Sequence, residues 1–280
     1  MIATTMRRLA PAFVTIMAVG AAVAHAADAS AWDEDQRSGM RLLAGAHPAA
    51  DGALRAGVEI RLAPDWKTYW RYPGDSGVPP RFDFAGSVNV RSATVLWPAP
   101  RRFPDALGES IGYEDRVVFP LRIVADDPAR SSTLRLTLNY AICQKICVPV
   151  EAKADLALGA AAADSKALIE AEAQVPVPTP LGSAGPFAIR AVGTDSVGGK
   201  PRIIVDVAAP DDAAVDLFAE GPTDDWALPL PKPIDGAPTG LRRFAFALDG
   251  LPPGATADGA MLTLTAVSGT QAIETRVKLK

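Results

Sequence analysis

The stretch Thr133 to Leu158, TLRLTLNYAICQKICVPVEAKADLAL, holds both cysteines of the chain between two runs of alternating side chains. By the two-residue period of a strand, Leu134, Leu136, Leu138, Tyr140 and Ile142 share one face, and Arg135, Thr137, Asn139, Ala141 and Cys143 share the other. After Gln144, Lys145 and Ile146 the pattern resumes. Val148, Val150, Ala152, Ala154, Leu156 and Leu158 form its apolar set, opposed by Cys147, Pro149, Glu151, Lys153 and Asp155. This predicts an antiparallel hairpin with a three-residue loop, Cys143 and Cys147 facing each other across it, and both cysteines turned away from the core. Facing Cβ atoms in a hairpin lie about 4.5–5.5 Å apart, against about 3.8 Å in a disulfide. The bond is therefore expected to close under strain, and strained or exposed disulfides tend to be the labile ones.

The same short alternation recurs on both sides. Leu54 to Ala63, Ser87 to Trp97 and Arg116 to Val124 read as strands separated by Pro, Gly and Asp. Proline, 25 of 280 residues, is nearly double its usual share of about 5%, which favours strands and turns over long helices. Many short strands predict a β-sandwich, with a small barrel as the other solution. From Gly159 the composition changes. Asp164 or Ser165 can cap a helix through about Gln174, and Pro176, Pro178 and Pro180 then stiffen a connector. A second set of strands is expected at Phe187 to Val192, Pro201 to Ala208, Ala213 to Ala219, Leu241 to Leu248, Ala260 to Ala266 and Ala272 to Leu279. The expected organisation is all-β: a sandwich over 27–160, a short helix and Pro-rich linker over 161–184, and a second sandwich over 185–280. The second has no cysteine, no histidine and no catalytic cluster, which points to a structural or docking role.

The first residues carry Arg7 and Arg8, an apolar run from Leu9 to Ala24, and the small-x-small site Ala24-His25-Ala26. These mark a secretory signal peptide over 1–26, cleaved after Ala26, and export to an oxidising compartment where a disulfide persists. The run is too short for a spanning helix, and no later segment is apolar enough, so no membrane insertion of the mature chain is expected. Losing Arg7 and Arg8 from 28 basic residues leaves the 32 acidic ones in excess, which argues against nucleic acid as a partner. Of two histidines only His47 survives maturation, which disfavours a Ser-His-Asp hydrolase and excludes a His-rich metal site.

Spacing alone leaves two readings of the cysteines open. As a plain staple, a five-residue loop yields only about 2 kcal/mol in the chain-entropy model, against about 3 for fifteen residues. As a reactive pair, it is unlike the C-x-x-C of thioredoxins and lacks the histidine of a haem attachment site. Zinc would need further ligands, so no metal and no cofactor are expected; copper binding by two soft thiolates alone is a weak alternative. An outward-facing thiol needs a cover. Pro98 to Gly112, with Phe103 as an aromatic tip among Pro100, Pro104, Gly108 and Gly112, could act as a stiff lid, or be an ordinary surface loop. Lys145 could favour a thiolate, while Glu109, Glu114, Asp115 or Glu151 could oppose it or shuttle protons.

Four motifs in order then resemble the N-terminal periplasmic domain of the DsbD family of protein-disulfide reductases. They are WKTYWRYPGDSGVPPRF at Trp66–Phe82, LWPAPRRF at Leu96–Phe103, GYEDRVVFPL at Gly112–Leu121 and YAICQKICVPVEA at Tyr140–Ala152. The likeness is greatest to the branch associated with copper tolerance, whose cysteines also have three residues between them; DsbD itself has five. The resemblance covers most of residues 38–160 and is vaguer over 181–280. It implies immunoglobulin-like sandwiches and a redox-active centre in which Cys147 attacks a partner's disulfide and Cys143 resolves the mixed disulfide. It also implies a cap loop of Phe103, Pro104, Leu107 and Gly108. The family's membrane and thioredoxin-like domains are missing from this chain, so a separate membrane-embedded electron-transfer protein and thioredoxin-like proteins are the implied partners in the periplasm. The alternative is a non-enzymatic binding module with a structural disulfide; Pro149 suits an edge strand, and edges dock partners.

Overall fold

The computed structural model describes residues 28–105, 108–159, 164–210 and 213–280. The expected signal peptide and Leu107 lie outside them. The N-terminal part runs through β1 (Asp33–Glu34), β2 (Ser38–Ala44), β3 (Leu54–Leu62), β4 (Lys67–Gly74), β5 (Arg81–Asp83), β6 (Ser92–Val95), β7 (Arg101–Asp105), β8 (Gly108–Glu114), β9 (Arg116–Val124), β10 (Ser132–Cys143) and β11 (Cys147–Leu158). One sheet has the order β1-β2-β3-β9-β6; the other has β11-β10-β4-β8-β7, with β5 paired to β10. Among the described residues the chain is all-β apart from one short helix, and its sheets stack as sandwiches.

Two inner faces close the first core. Met40, Leu42, Val58 and Ile60 come from one sheet, and Trp70, Ile111, Leu134, Leu136 and Leu138 from the other. Phe82, Trp97, Tyr113 and Phe119 meet edge to face, with ring centroids 5.1–5.8 Å apart. Such pairs add about 0.5–1.5 kcal/mol each beyond the area they bury. The aromatics of the quoted motifs are thus chiefly core.

The helix α1 (Lys166–Ala173) follows, capped by the Ser165 side chain, which accepts from the Leu168 N–H. Leu168 and Ala171 pack on Leu43 and Val118. Gly57 permits that approach, because a Cβ there would lie 3.0 Å from Val118 and 3.1 Å from Leu168. Arg55 ties the helix to β3 through Glu172 and Asp164. Among the described residues no helix is long and apolar enough to cross a membrane.

The C-terminal part comprises β12 (Val177–Pro178), β13 (Ala188–Val197), β14 (Lys200–Ala208), β15 (Asp216–Glu220), β16 (Lys232–Ile234), β17 (Leu241–Ala247), β18 (Met261–Ser268) and β19 (Gln271–Lys278). Its sheets, ordered β12-β19-β18-β15 and β13-β14-β17-β16, enclose a core that includes Ile203, Val205, Leu217, Phe244 and Leu264. Phe218 of β15 points elsewhere. It joins the first core with Leu230, its ring 5.6 Å from that of Trp70. Polar contacts surround that seam. Arg71 donates to Glu220 at 2.7 and 2.8 Å and to Glu274 at 2.6 Å. The Tyr72 hydroxyl donates to the Leu228 carbonyl. Arg102 donates to the carbonyls of Leu217 and Pro231 at 2.6 and 2.9 Å.

Candidate functional site

The β10–β11 hairpin pairs without a slip from Ser132↔Leu158 to Cys143↔Cys147, so the last pair of the ladder is the two cysteines. They are bonded, with Cα atoms 4.1 Å apart. Gln144, Lys145 and Ile146 turn outside them, and Ile146 is 70% exposed. Since β11 is the last strand of its sheet, Cys147 sits on an edge, as Pro149 suggests.

The two sulfurs have different surroundings. Cys147 is exposed, whereas Cys143 is only 2% exposed. The expectation that both face outward is therefore corrected for Cys143. Its side chain does lie on the face opposite Leu138 and Ile142, but Tyr69 covers that face and packs with Ala141 and Cys143 into a small cluster of its own. The Tyr69 hydroxyl donates to Cys143 Sγ at 2.6 Å and lies 3.3 Å from Cys147 Sγ.

Strand β4 sets this up. Its residues alternate, so Trp70 enters the core while Tyr69 turns to the cysteine side. Pairing of Thr68 with Ile142 and of Lys67 with Cys143 fixes the register, and Thr68 Oγ1 donates to the Ala141 carbonyl at 2.9 Å. The loop after β4 then returns over the ring. At Gly77, with φ of 129°, a Cβ would lie 2.3 Å from Tyr69 Cε1, so only glycine fits. In the sequence Tyr69 stands within the Trp66–Phe82 motif with no role assigned to it; the signal for one is an aromatic directly before Trp70 and eight residues before Gly77.

The expected lid takes another form. Residues 101–105 and 108–114 pair antiparallel as β7 and β8, with Phe103 opposite Ser110 and Pro104 opposite Glu109. Phe103 is buried within the strand, not at the tip, because its ring packs under Arg101 and beside Lys67, at 5.6 and 6.0 Å from the ring centroid. Gly108 opens β8 with φ of 142°. This strand pair reaches the cysteines through its neighbours: Lys67, opposite Cys143, donates to Ser110 Oγ at 2.9 Å. The Glu109 N–H donates to Asp75 in the loop that carries Gly77.

The other charged candidates are spread out. Lys145 is exposed in the bend. Glu151 pairs with Lys153 at 2.9 Å, Glu109 with Arg102 at 3.2 Å, and Asp115 takes the left-handed position of the β8–β9 turn. Beside Cys147 runs an open groove with Val78, Pro79, Tyr140, Pro149 and Val150 along it. Burial holds the Tyr140 hydroxyl above the ordinary tyrosine range, against the Ser38 hydrogen bond that pulls it down. A larger cleft, lined in part by Asp51, Leu54, Arg130 and Leu158, lies at the far end of the hairpin, away from the sulfurs. Among the described residues no group of three or more His, Cys, Asp or Glu is placed to hold a metal ion.

Comparison with known proteins agrees with this geometry. No curated protein matches the chain in sequence. In structure it resembles the N-terminal periplasmic domain of ScsB from Proteus mirabilis, at 20% identity and a TM-score of 0.67, over 90% of this chain and 98% of that one. At that identity the likeness speaks for the fold, and it extends across both sandwiches. Residues 41–159 match the family model described as "Thiol:disulfide interchange protein DsbD, N-terminal", and they contain both bonded cysteines and Tyr69. Over residues 41–159 this N-terminal sandwich is therefore similar to the N-terminal domain of DsbD, and the match supports a thiol-disulfide exchange module built around the cysteine pair.

Proposed function

We propose that this protein carries electrons in the periplasm, passing them between a membrane-linked reductant and thioredoxin-fold partners through Cys143 and Cys147. The observation that carries the reading is the asymmetry of the pair: one sulfur on an exposed sheet edge, the other buried behind a tyrosine. Exchange proceeds by attack of a thiolate on a disulfide sulfur through a mixed disulfide. Cys147 is the sulfur a partner can reach, so it attacks and is attacked; Cys143 stays inside and resolves the mixed disulfide. No cofactor is needed for this chemistry. The groove beside Cys147 gives a partner's active-site segment an apolar bed. The β7–β8 strand pair, with Phe103 against Lys67, serves as the cap. The periplasmic location rests on the export signal at the N-terminus and on the location named for the ScsB domain.

The reduction potential tests this reading. Structural disulfides lie below about −300 mV. Equilibration of the Cys143–Cys147 bond with defined dithiol buffers is expected to give a value well above that, and to show two-electron exchange with a thioredoxin-fold protein within minutes. A value at or below −300 mV would leave a binding module with a staple.

A further inference from the structure

We propose that Tyr69 is a catalytic residue of the exchange, donating its hydroxyl hydrogen bond to the thiolate that forms on Cys143. The inference rests on the reading of Cys143 and Cys147 as an exchanging pair. It adds the group that makes the buried sulfur a competent leaving group.

Reduction of this disulfide begins when one thiolate of a partner dithiol attacks Cys147 Sγ. A bond forms between the partner's sulfur and Cys147, the Cys143–Cys147 bond breaks, and its electron pair departs on Cys143 Sγ. The partner's second thiolate then attacks its own first sulfur. This closes the partner's disulfide and frees Cys147. Two electrons have moved from partner to protein, and the two protons the partner gives up reach the new thiols through solvent. In the opposite direction Cys147 attacks an acceptor's disulfide, and Cys143 must be a thiolate to resolve the adduct. Both directions pass through a negative charge on Cys143.

That charge develops where water has little access, since Cys143 is 2% exposed and Tyr69 1%. Apolar burial disfavours a thiolate, whereas a hydrogen bond donated to the charged form favours it. The Tyr69 hydroxyl already lies 2.6 Å from Cys143 Sγ and needs no rearrangement to serve. Its 3.3 Å distance to Cys147 Sγ places the same donor beside both reacting atoms. The ring cannot swing away, because Gly77 closes over it and Ala141 backs it. The charged groups nearby do other work. Lys67, opposite Cys143, donates to Ser110; Glu114 pairs across from Lys67 on β8; Lys145 stands in the exposed bend. A leaving thiol of lower basicity leaves faster, so the hydroxyl acts on rate as well as equilibrium.

The test uses Tyr69→Phe in the full chain, which keeps the ring and removes the donor. In a Cys147→Ser background the Cys143 thiolate is titrated by its ultraviolet absorbance. In the chain with both cysteines, the rate of disulfide reduction by dithiothreitol is measured at fixed pH. Hydrogen bonds to charged groups predict about a tenfold fall in thiolate fraction below the midpoint. A several-fold slower reduction is expected with it. A second variant with 3-fluorotyrosine in place of Tyr69, a more acidic donor of nearly the same shape, should shift the thiolate fraction the other way. An unchanged thiolate fraction in both variants overturns the proposal, as does slower reduction alone, which marks a packing effect. Both readouts use a small dithiol and no protein partner, so they stand or fall separately from the electron-carrier reading, which the potential and the protein exchange assay decide.

Discussion

A Cys143→Ser variant, left with one free thiol at position 147, is expected to accumulate covalent adducts with thioredoxin-fold proteins, whereas Cys147→Ser accumulates none. Both single variants should lose turnover completely, since each removes half of a two-sulfur relay. The difference lies in what each leaves behind. With serine at 143 the remaining sulfur sits on the exposed edge beside the open groove, where a partner's disulfide can approach in line. With serine at 147 the remaining sulfur is at the floor of a cluster closed by Tyr69 and Ala141. Mixing each reduced variant with an oxidised thioredoxin-fold protein, then separating products without reductant and mapping the linkage by mass spectrometry, reads the outcome. Adducts of equal yield, or linkage to Cys143, would reverse the roles given to the two sulfurs.

How far the sequence discloses this site depends on whether a residue's surroundings are local. The hairpin was legible because alternation along Thr133–Leu158 sets its register, and the observed strands begin and end within a residue of the expected ones. Strand β9 matches Arg116–Val124 for the same reason. Strand β2, SGMRLLA, was missed because it is buried at nearly every position and shows no alternation. Only Ser92–Val95 of the expected Ser87–Trp97 strand pairs as a strand. Asn89 takes φ of 55°, and its side chain bonds to the carbonyls of Asp127 and Arg130, which spends the first part on a turn.

The burial of Cys143 was illegible for a different reason. Face assignment in a strand tells which way a side chain points, not what lies there. Here the answer comes from Tyr69, 74 residues earlier, in a strand whose sequence ends in Pro73-Gly74 and reads as a turn. The prolines and glycines around Phe103 likewise suggest a loop tip, although Pro104 is tolerated on the edge strand β7.

What the sequence of the second sandwich lacks points only to a structural or docking role. Its contacts give it a more definite part, and Phe218→Ala should expose it. Phe218 is fully buried, yet its ring packs on Trp70, the residue next to Tyr69, and Arg102 of β7 lies 5.2 Å over its centroid. Truncating a buried phenylalanine costs about 3–5 kcal/mol through lost burial and the cavity left behind. Because this ring belongs to the first core, the loss should fall on the N-terminal sandwich although the mutation lies in the C-terminal one. Unfolding in urea, followed by tryptophan fluorescence and far-ultraviolet dichroism together, is expected to show one transition displaced by that amount. Two separated transitions, with only the later strands weakened, would mean that the sandwiches fold independently and that the seam contributes little. One displaced transition would make the second sandwich the brace behind β4 and β7, the strands that carry Tyr69 and Phe103. Its contribution to exchange would then be to hold the walls of the redox site rather than to supply any group of its own.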